Sequence, residues 1–271
     1  TTIGYTLDGV GNRTQVTGGQ QPGTYTLDPT LPEPADLQMN QYTTTPFDDR
    51  LYDQNGNLGR TDDTLPSQRD YTYDYRNQMI AYADQATGVT ATYAYDALGR
   101  RIEKSVHDGV STETTRYFYE GWQVVEEQDE TGATLATYVY GRYIDEVLNM
   151  QRDVDGDLTV EDHYYHTDDH YNVTVLTDAF GSVVESYDYE DYGRPQVFDG
   201  GGIPIAMTAF ANPYLFTGRR LDAETSFYNY RTRYLNSDAG RFTTRDVIDI
   251  WGDYWNLGNE YTFVGHSTAN S

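Results

Sequence analysis

The sequence predicts an all-β repeat protein, and three observations predict it. Aromatic residues two apart recur along the chain, as in Tyr93-Ala94-Tyr95, which places both rings on one face of a strand. Glycine turns follow such pairs, as in Asp96-Ala97-Leu98-Gly99-Arg100, because glycine accepts the positive φ of a tight turn. Apolar residues do not recur with a period of 3.6 over any long window, so no amphipathic helix is expected.

Copies of this stretch can be followed in order. Gly4-Tyr5-Thr6-Leu7-Asp8 leads to Gly11-Asn12-Arg13, and Leu51-Tyr52-Asp53 leads to Leu58-Gly59-Arg60. Tyr71-Thr72-Tyr73-Asp74 precedes the copy at Tyr93 and Tyr95. Tyr117-Phe118-Tyr119, Tyr138-Val139-Tyr140-Gly141-Arg142, and Tyr187-Asp188-Tyr189 before Gly193-Arg194 continue the series. Tyr73 to Tyr95, Tyr95 to Tyr119 and Tyr119 to Tyr140 span 22, 24 and 21 residues, a period that suits two short strands and two turns. His107-Asp108-Gly109-Val110 reads as a hairpin turn between strand-like flanks. Six of the 17 arginines directly follow a glycine, so the turn chemistry is itself repeated. Within one turn Arg100 can pair with Asp96 and stack on a tyrosine face. Residues 18–46 carry five prolines and read as an irregular excursion; residues 199–211 read as a Gly/Pro loop. A short helix over 205–210 has no capping residue to support it.

Composition bounds the function. There are 27 tyrosines against 9 phenylalanines and 3 tryptophans, which suggests aromatic packing that is hydrogen-bonded as well. The formal net charge is −25, and Lys104 is the one lysine. Such a chain should repel nucleic acid and anionic lipid. It has no cysteine, so disulfides and thiolate metal sites are excluded. No stretch approaches the ~20 apolar residues of a membrane helix. No signal peptide is evident; the chain begins at Thr1, which suggests a processed product or fragment.

The Tyr-x-Tyr-Asp-x-x-Gly-Arg pattern resembles the YD repeat of the RHS (rearrangement hotspot) family. Residues 212–246 resemble the RHS-associated core most specifically. They include Phe216, Gly218 and Arg219, then Tyr228, Tyr230, Arg233 and Tyr234, then Gly240-Arg241-Phe242 and Asp246. The resemblance implies an antiparallel β-ribbon that winds as a spiral shell, with a YD-repeat region at 1–198, a loop at 199–211 and a core cap at 212–271. It also implies a frequent companion chemistry, an aspartyl autoprotease that releases a C-terminal toxin. Here the expected Asp-Pro is Asp246-Val247, and no later Asp-Pro-x-Gly segment follows before Ser271, so self-cleavage is not expected of this chain.

Three clusters are weighed for chemistry. Asp246 beside Arg245, with Asp238, Asp249 and Asp253 near, is the acid–base candidate; aspartates paired to arginine explain it more simply. His163, His166 and His170 near Asp168 and Asp169 could suit zinc or copper, but a strand would turn His163 and His166 to opposite faces. Asp153, Asp155 and Asp157 suggest calcium, although the spacing is not that of an EF-hand and a hairpin turn explains it better. No resident cofactor is expected. The expected role is structural and non-catalytic: a secreted or surface scaffold that encloses protein cargo or assembles with copies of itself. The alternatives are an RHS-type autoprotease shell and an adhesin that binds glycans or protein.

Overall fold

The computed structural model describes residues 2–27, 40–154, 156–246 and 259–263. Among these residues the chain is all-β, and its one helical element is the single 3-10 turn Phe216–Gly218. Fifteen strands, from Arg50–Tyr52 to Pro204–Ile205, form one antiparallel sheet that does not close into a barrel. Each strand lies beside its neighbour in sequence, because short turns return the chain before it can travel elsewhere. The hairpin expected at Asp108-Gly109 joins Arg101–His107 to Thr112–Glu120, with Lys104 opposite Thr115. No helix forms over 205–210. The excursion at 18–46 contributes short strands, Thr26–Leu27 pairing with Tyr42–Thr44.

The repeat is visible in burial as well as in letters. Thr134–Tyr140 and Val183–Tyr189 share one pattern, in which the third and fifth residues are buried. Those residues are Ala136 and Tyr138 in one strand and Glu185 and Tyr187 in the other. Many strands carry a bulge where the second aromatic residue of a pair stands, as at Thr72/Tyr73, Phe118/Tyr119 and Val139/Tyr140. A bulge re-aims a side chain and raises local twist.

The chain forms two compact units, Thr1–Thr92 with Arg233–Ser271, and Tyr93–Thr232. The first unit packs Val16, Tyr25 and Tyr42 as a small core, flanked by Ile3, Tyr5, Leu27 and Phe47. The Arg241 guanidinium lies 3.6 Å above the Tyr42 ring, so a charged group completes that core. The second unit centres on Tyr214, whose ring stands 5.0 Å from Tyr138 and 6.4 Å from Tyr165. Arg220 lies 4.9 Å from the Tyr117 ring and 5.0 Å from that of Tyr214.

Candidate functional site

The aspartate of the repeat is a turn cap. Asp96 Oδ1 accepts hydrogen bonds from the backbone N–H of Leu98 and of Arg100, both at 2.9 Å. The same pair of bonds, to the second and fourth residues onward, recurs at Asp8, Asp53, Asp74, Asp129, Asp168, Asp178 and Asp199. The residue third after each aspartate is left-handed: Gly99 has φ 85°, and Asn77 and Tyr171 take the place of glycine at 60° and 62°. An Asx-type turn followed by one left-handed residue reverses the strand within five residues. As expected, Arg100 returns to Asp96, Nε to Oδ2 at 2.7 Å, and its guanidinium lies 5.0 Å from the Tyr119 ring. Burial works against the Asp96 charge, but the donors around it outweigh that and hold its carboxyl below the ordinary aspartate range. Gly193-Arg194 uses the same reversal with Glu190 leading it. Gly141-Arg142 departs from the pattern. No aspartate follows Tyr140, so Glu146 closes a longer turn, accepting from the Arg142 N–H at 2.8 Å.

The two tyrosines of a pair do different work. In three pairs the first is buried and gives its hydroxyl to a carboxylate: Tyr93 to Glu224 at 2.9 Å, Tyr138 to Glu127 at 2.9 Å, Tyr187 to Glu185 at 2.5 Å. The second reaches back to a backbone carbonyl near the start of an earlier strand. Tyr119 donates to Arg101 O at 2.8 Å, Tyr140 to Val124 O at 3.0 Å, and Tyr189 to Val173 O at 2.6 Å. At these six positions tyrosine does what phenylalanine could not: each of these hydroxyls satisfies a group that a purely apolar ring would leave behind. Tyr95 is half-buried in the strand that carries Tyr93, and Tyr73 is likewise half-buried behind the Asp74 turn.

The residues of the core motif also pack and pair. In the second unit Phe216 sits against Gly193, where any side chain would collide with its ring. Tyr228 donates to Gly193 O at 2.8 Å. Gly218 lies against the Asp145 carbonyl, and Arg219 meets the Asp145 carboxylate at 2.9 Å while facing the Tyr230 ring at 4.8 Å. In the first unit Arg241 donates to Asn12 Oδ1 at 2.7 Å, and Tyr234 O accepts from the Thr243 N–H at 2.9 Å. Gly240, left-handed at φ 66°, ends the turn before Arg241.

Asp246 meets Arg233, whose guanidinium nitrogen lies 2.9 Å from Oδ2 and whose charge faces the Phe242 ring at 3.7 Å. The structure therefore places a guanidinium against Asp246. Arg245 lies 3.5 Å from Glu260. Asp249 and Asp253 lie outside the described residues. The histidines separate as their strand requires: His163 is buried against Phe210 at 5.0 Å, and His166 is exposed and meets Thr177 Oγ1 at 3.0 Å. His170 stands with Asp168 and Asp169 on the surface. Asp153 and Asp157 come together with Glu161, while Asp155 lies outside the described residues. Asp153 is already engaged as a turn cap, accepting from the Gly156 N–H at 2.7 Å and the Leu158 N–H at 2.9 Å.

Sequence reasoning missed the buried carboxylates of the second unit. Glu127 lies between Arg220 at 2.5 Å and Arg152 at 2.9 Å. Asp222 meets Arg101 at 2.5 Å and Lys104 at 3.2 Å, and Lys104 meets Glu224 at 3.1 Å. Glu185 is fully buried and accepts from Tyr187, Thr208 and the Ala209 N–H. The available signal was positional. Glu185 stands two residues before Tyr187, on the same inward face of its strand.

No protein-family model matches the chain. It is 30% identical to the tRNA nuclease WapA of Bacillus subtilis (strain 168) over 249 residues, which is 91% of this chain and 10% of that protein. It is 26% identical over 245 residues to the double-stranded DNA deaminase toxin A of Burkholderia cenocepacia (strain H111), covering 78% of this chain and 17% of that protein. The chain thus spans about a tenth of the length of the nuclease relative. Among solved structures, TcdB2-TccC3 without its hypervariable C-terminal region matches with a TM-score of 0.54 at 15% identity, over 96% of this chain and 16% of that one. The Photorhabdus luminescens Tc holotoxin pore matches with the same values. Capped turns, paired tyrosines and an antiparallel ribbon are thus found together with these relatives, and the chain belongs to the YD-repeat, or RHS, family.

Proposed function

We propose that this chain is a non-catalytic stretch of a secreted or surface YD-repeat scaffold, part of a β-shell that encloses protein cargo or of an assembly built from its own copies. One observation supports this reading above others: the repeated polar residues spend their chemistry on one another. Asp96 caps a turn, Tyr93 and Tyr138 bond buried carboxylates, and Asp246 meets an arginine. A site for acid–base chemistry instead needs a group poised to exchange a proton with a substrate. The toxin names of the relatives favour a scaffold associated with a toxin. The net charge of −25 opposes nucleic-acid binding by the scaffold itself.

The test is electron microscopy of the full-length natural protein, with its ends mapped by mass spectrometry. Discrete hollow particles agree with a shell. Continuous fibres whose chains end near Thr1 and Ser271 would replace it with an assembly subunit. A natural cut that disappears in the Asp246→Asn protein would overturn the non-catalytic reading.

A further inference from the structure

The second unit holds a cavity of about 50 Å³ whose lining carries five arginines. Arg219, Arg220, Asn229 and Arg231 line it together with Tyr140 and Trp122, and Asp145 is its one acidic lining residue. Three buried donor atoms of lining residues, Arg219 Nε, Arg220 Nε and Asn229 Nδ2, have no hydrogen-bond partner in the protein. Buried donors without acceptors are costly and uncommon, so three on residues around one cavity mark it as a place short of acceptors.

The charge balance points the same way. Asp145 is shared by Arg219 at 2.9 Å and Arg231 at 2.6 Å. Glu127 is shared by Arg220 at 2.5 Å and Arg152 at 2.9 Å. Four guanidinium groups face two carboxylates, which leaves two positive charges beside the cavity in a chain whose net charge is −25. The other arginines of the lining are matched: Arg100 by Asp96, and Arg101 with Lys104 by Asp222 and Glu224. Burial holds Arg219 below its ordinary range and Asp145 above its own, so both charges are poorly solvated where they stand.

We propose that this cavity is an oxyanion-binding site, sized for one carboxylate or phosphate group. A cation is opposed by the surplus of guanidinium charge, and an apolar ligand would leave that charge unmatched. A water needs roughly 10–15 Å³ of such volume, so the cavity has room for the few heavy atoms of one oxyanion group. Arginine's fork matches both carboxylate and phosphate. Trp122 is 39% exposed, so the lining reaches solvent and an anion can enter.

The experiment measures the thermal midpoint of the 271-residue chain at fixed ionic strength, replacing chloride stepwise by phosphate and, separately, by acetate. A saturable rise of a few degrees is expected for at least one of them. A rise with phosphate alone assigns a phosphoryl group; a rise with acetate alone assigns a carboxylate. The sharper variant is Asn229→Asp, which keeps the Oδ1 acceptor that takes the Arg231 N–H at 3.0 Å and places a carboxylate in the cavity. It should have a midpoint at or above that of the parent without added anion, and it should no longer respond to anion. Arg219→Gln should weaken anion binding at least about tenfold. Arg116→Gln, at a surface pair with Glu103, should leave the response unchanged. The proposal is overturned if neither anion gives a saturable shift, which would mean that water alone occupies the cavity. It is equally overturned if the shift persists in both Asn229→Asp and Arg219→Gln.

Discussion

Replacing Glu127 by glutamine removes the one negative charge between Arg152 and Arg220, whose side chains are 17% and 14% exposed against 4% for Glu127. The shape is kept, and the Tyr138 hydroxyl at 2.9 Å still has an acceptor. Two charges about 4 Å apart attract by about 4 kcal/mol at the effective dielectric of a protein site, and breaking a buried pair typically costs ~3–5 kcal/mol. Glu127→Gln should therefore cost the 271-residue chain about 4 kcal/mol, read from urea unfolding with an unchanged slope. Arg152→Gln should cost less, because it leaves Glu127 and Arg220 matched one to one. In the double variant the two losses should not add, with a coupling of about 1–3 kcal/mol. The pH dependence has a definite sign. Burial alone would raise the Glu127 carboxyl, but Arg220 and Arg152 outweigh it and hold it below the ordinary glutamate range. A depressed native value contributes stability that is fully present above the unfolded value near 4.3 and is lost as pH falls through the native one. The gap between the parent and Glu127→Gln should thus narrow below about pH 4. A loss under about 1 kcal/mol at pH 7, or a gap that stays constant from pH 7 to pH 3, would refute the electrostatic account.

Asp96→Ala removes the side-chain acceptor of two backbone N–H groups and the partner of Arg100, and should cost about 1–2 kcal/mol by denaturant unfolding. Asp96→Asn keeps an oxygen for both backbone donors and should cost less than half as much; equal losses would mean that the turn does not depend on the cap. Gly193→Ala combines a left-handed φ of 89° with a collision against Phe216, so it should cost about 3 kcal/mol or more. Gly181→Ala, at φ 80° with open space where the Cβ would stand, carries only the conformational strain of about 1–2 kcal/mol. The reverse ranking in thermal unfolding would show that Phe216 yields freely.

The fold was legible because its rule is local. A strand that ends in Tyr-Asp, with a left-handed position three residues after the aspartate, states its own reversal. Seven aspartate turns of this kind, three of them led by Tyr-Asp, recur along the fifteen-stranded sheet and reverse it without any long-range information. The pairing of Asp96 with Arg100 and the separation of His163 from His166 were readable for the same reason. The carboxylate network was not. Glu127 and Glu126 are adjacent letters on opposite faces, and only the arrival of Arg220, far along the chain, makes Glu127 the buried one. Residues 233–246 likewise carry motif letters that match the family, but nothing in them says that they join a compact unit with the first 92 residues.

The choice of tyrosine follows from how a ribbon of this kind must be held together. Each hairpin brings only its two neighbours into backbone pairing, so side chains must tie the more distant hairpins together. A phenylalanine could stack across the sheet face, but it could not tie one hairpin to the start of another. Tyr119, Tyr140 and Tyr189 do both, since each donates to a carbonyl 16 or 18 residues earlier. Arginine plays the matching part on the other side of the ring. Arg220 faces the rings of Tyr117, Tyr138 and Tyr214 while it pairs with Glu127, so one side chain joins stacking, charge and hydrogen bonding. In such a network polar groups are part of the core, and Arg101 and Arg220 are drawn inward together with the carboxylates that match them.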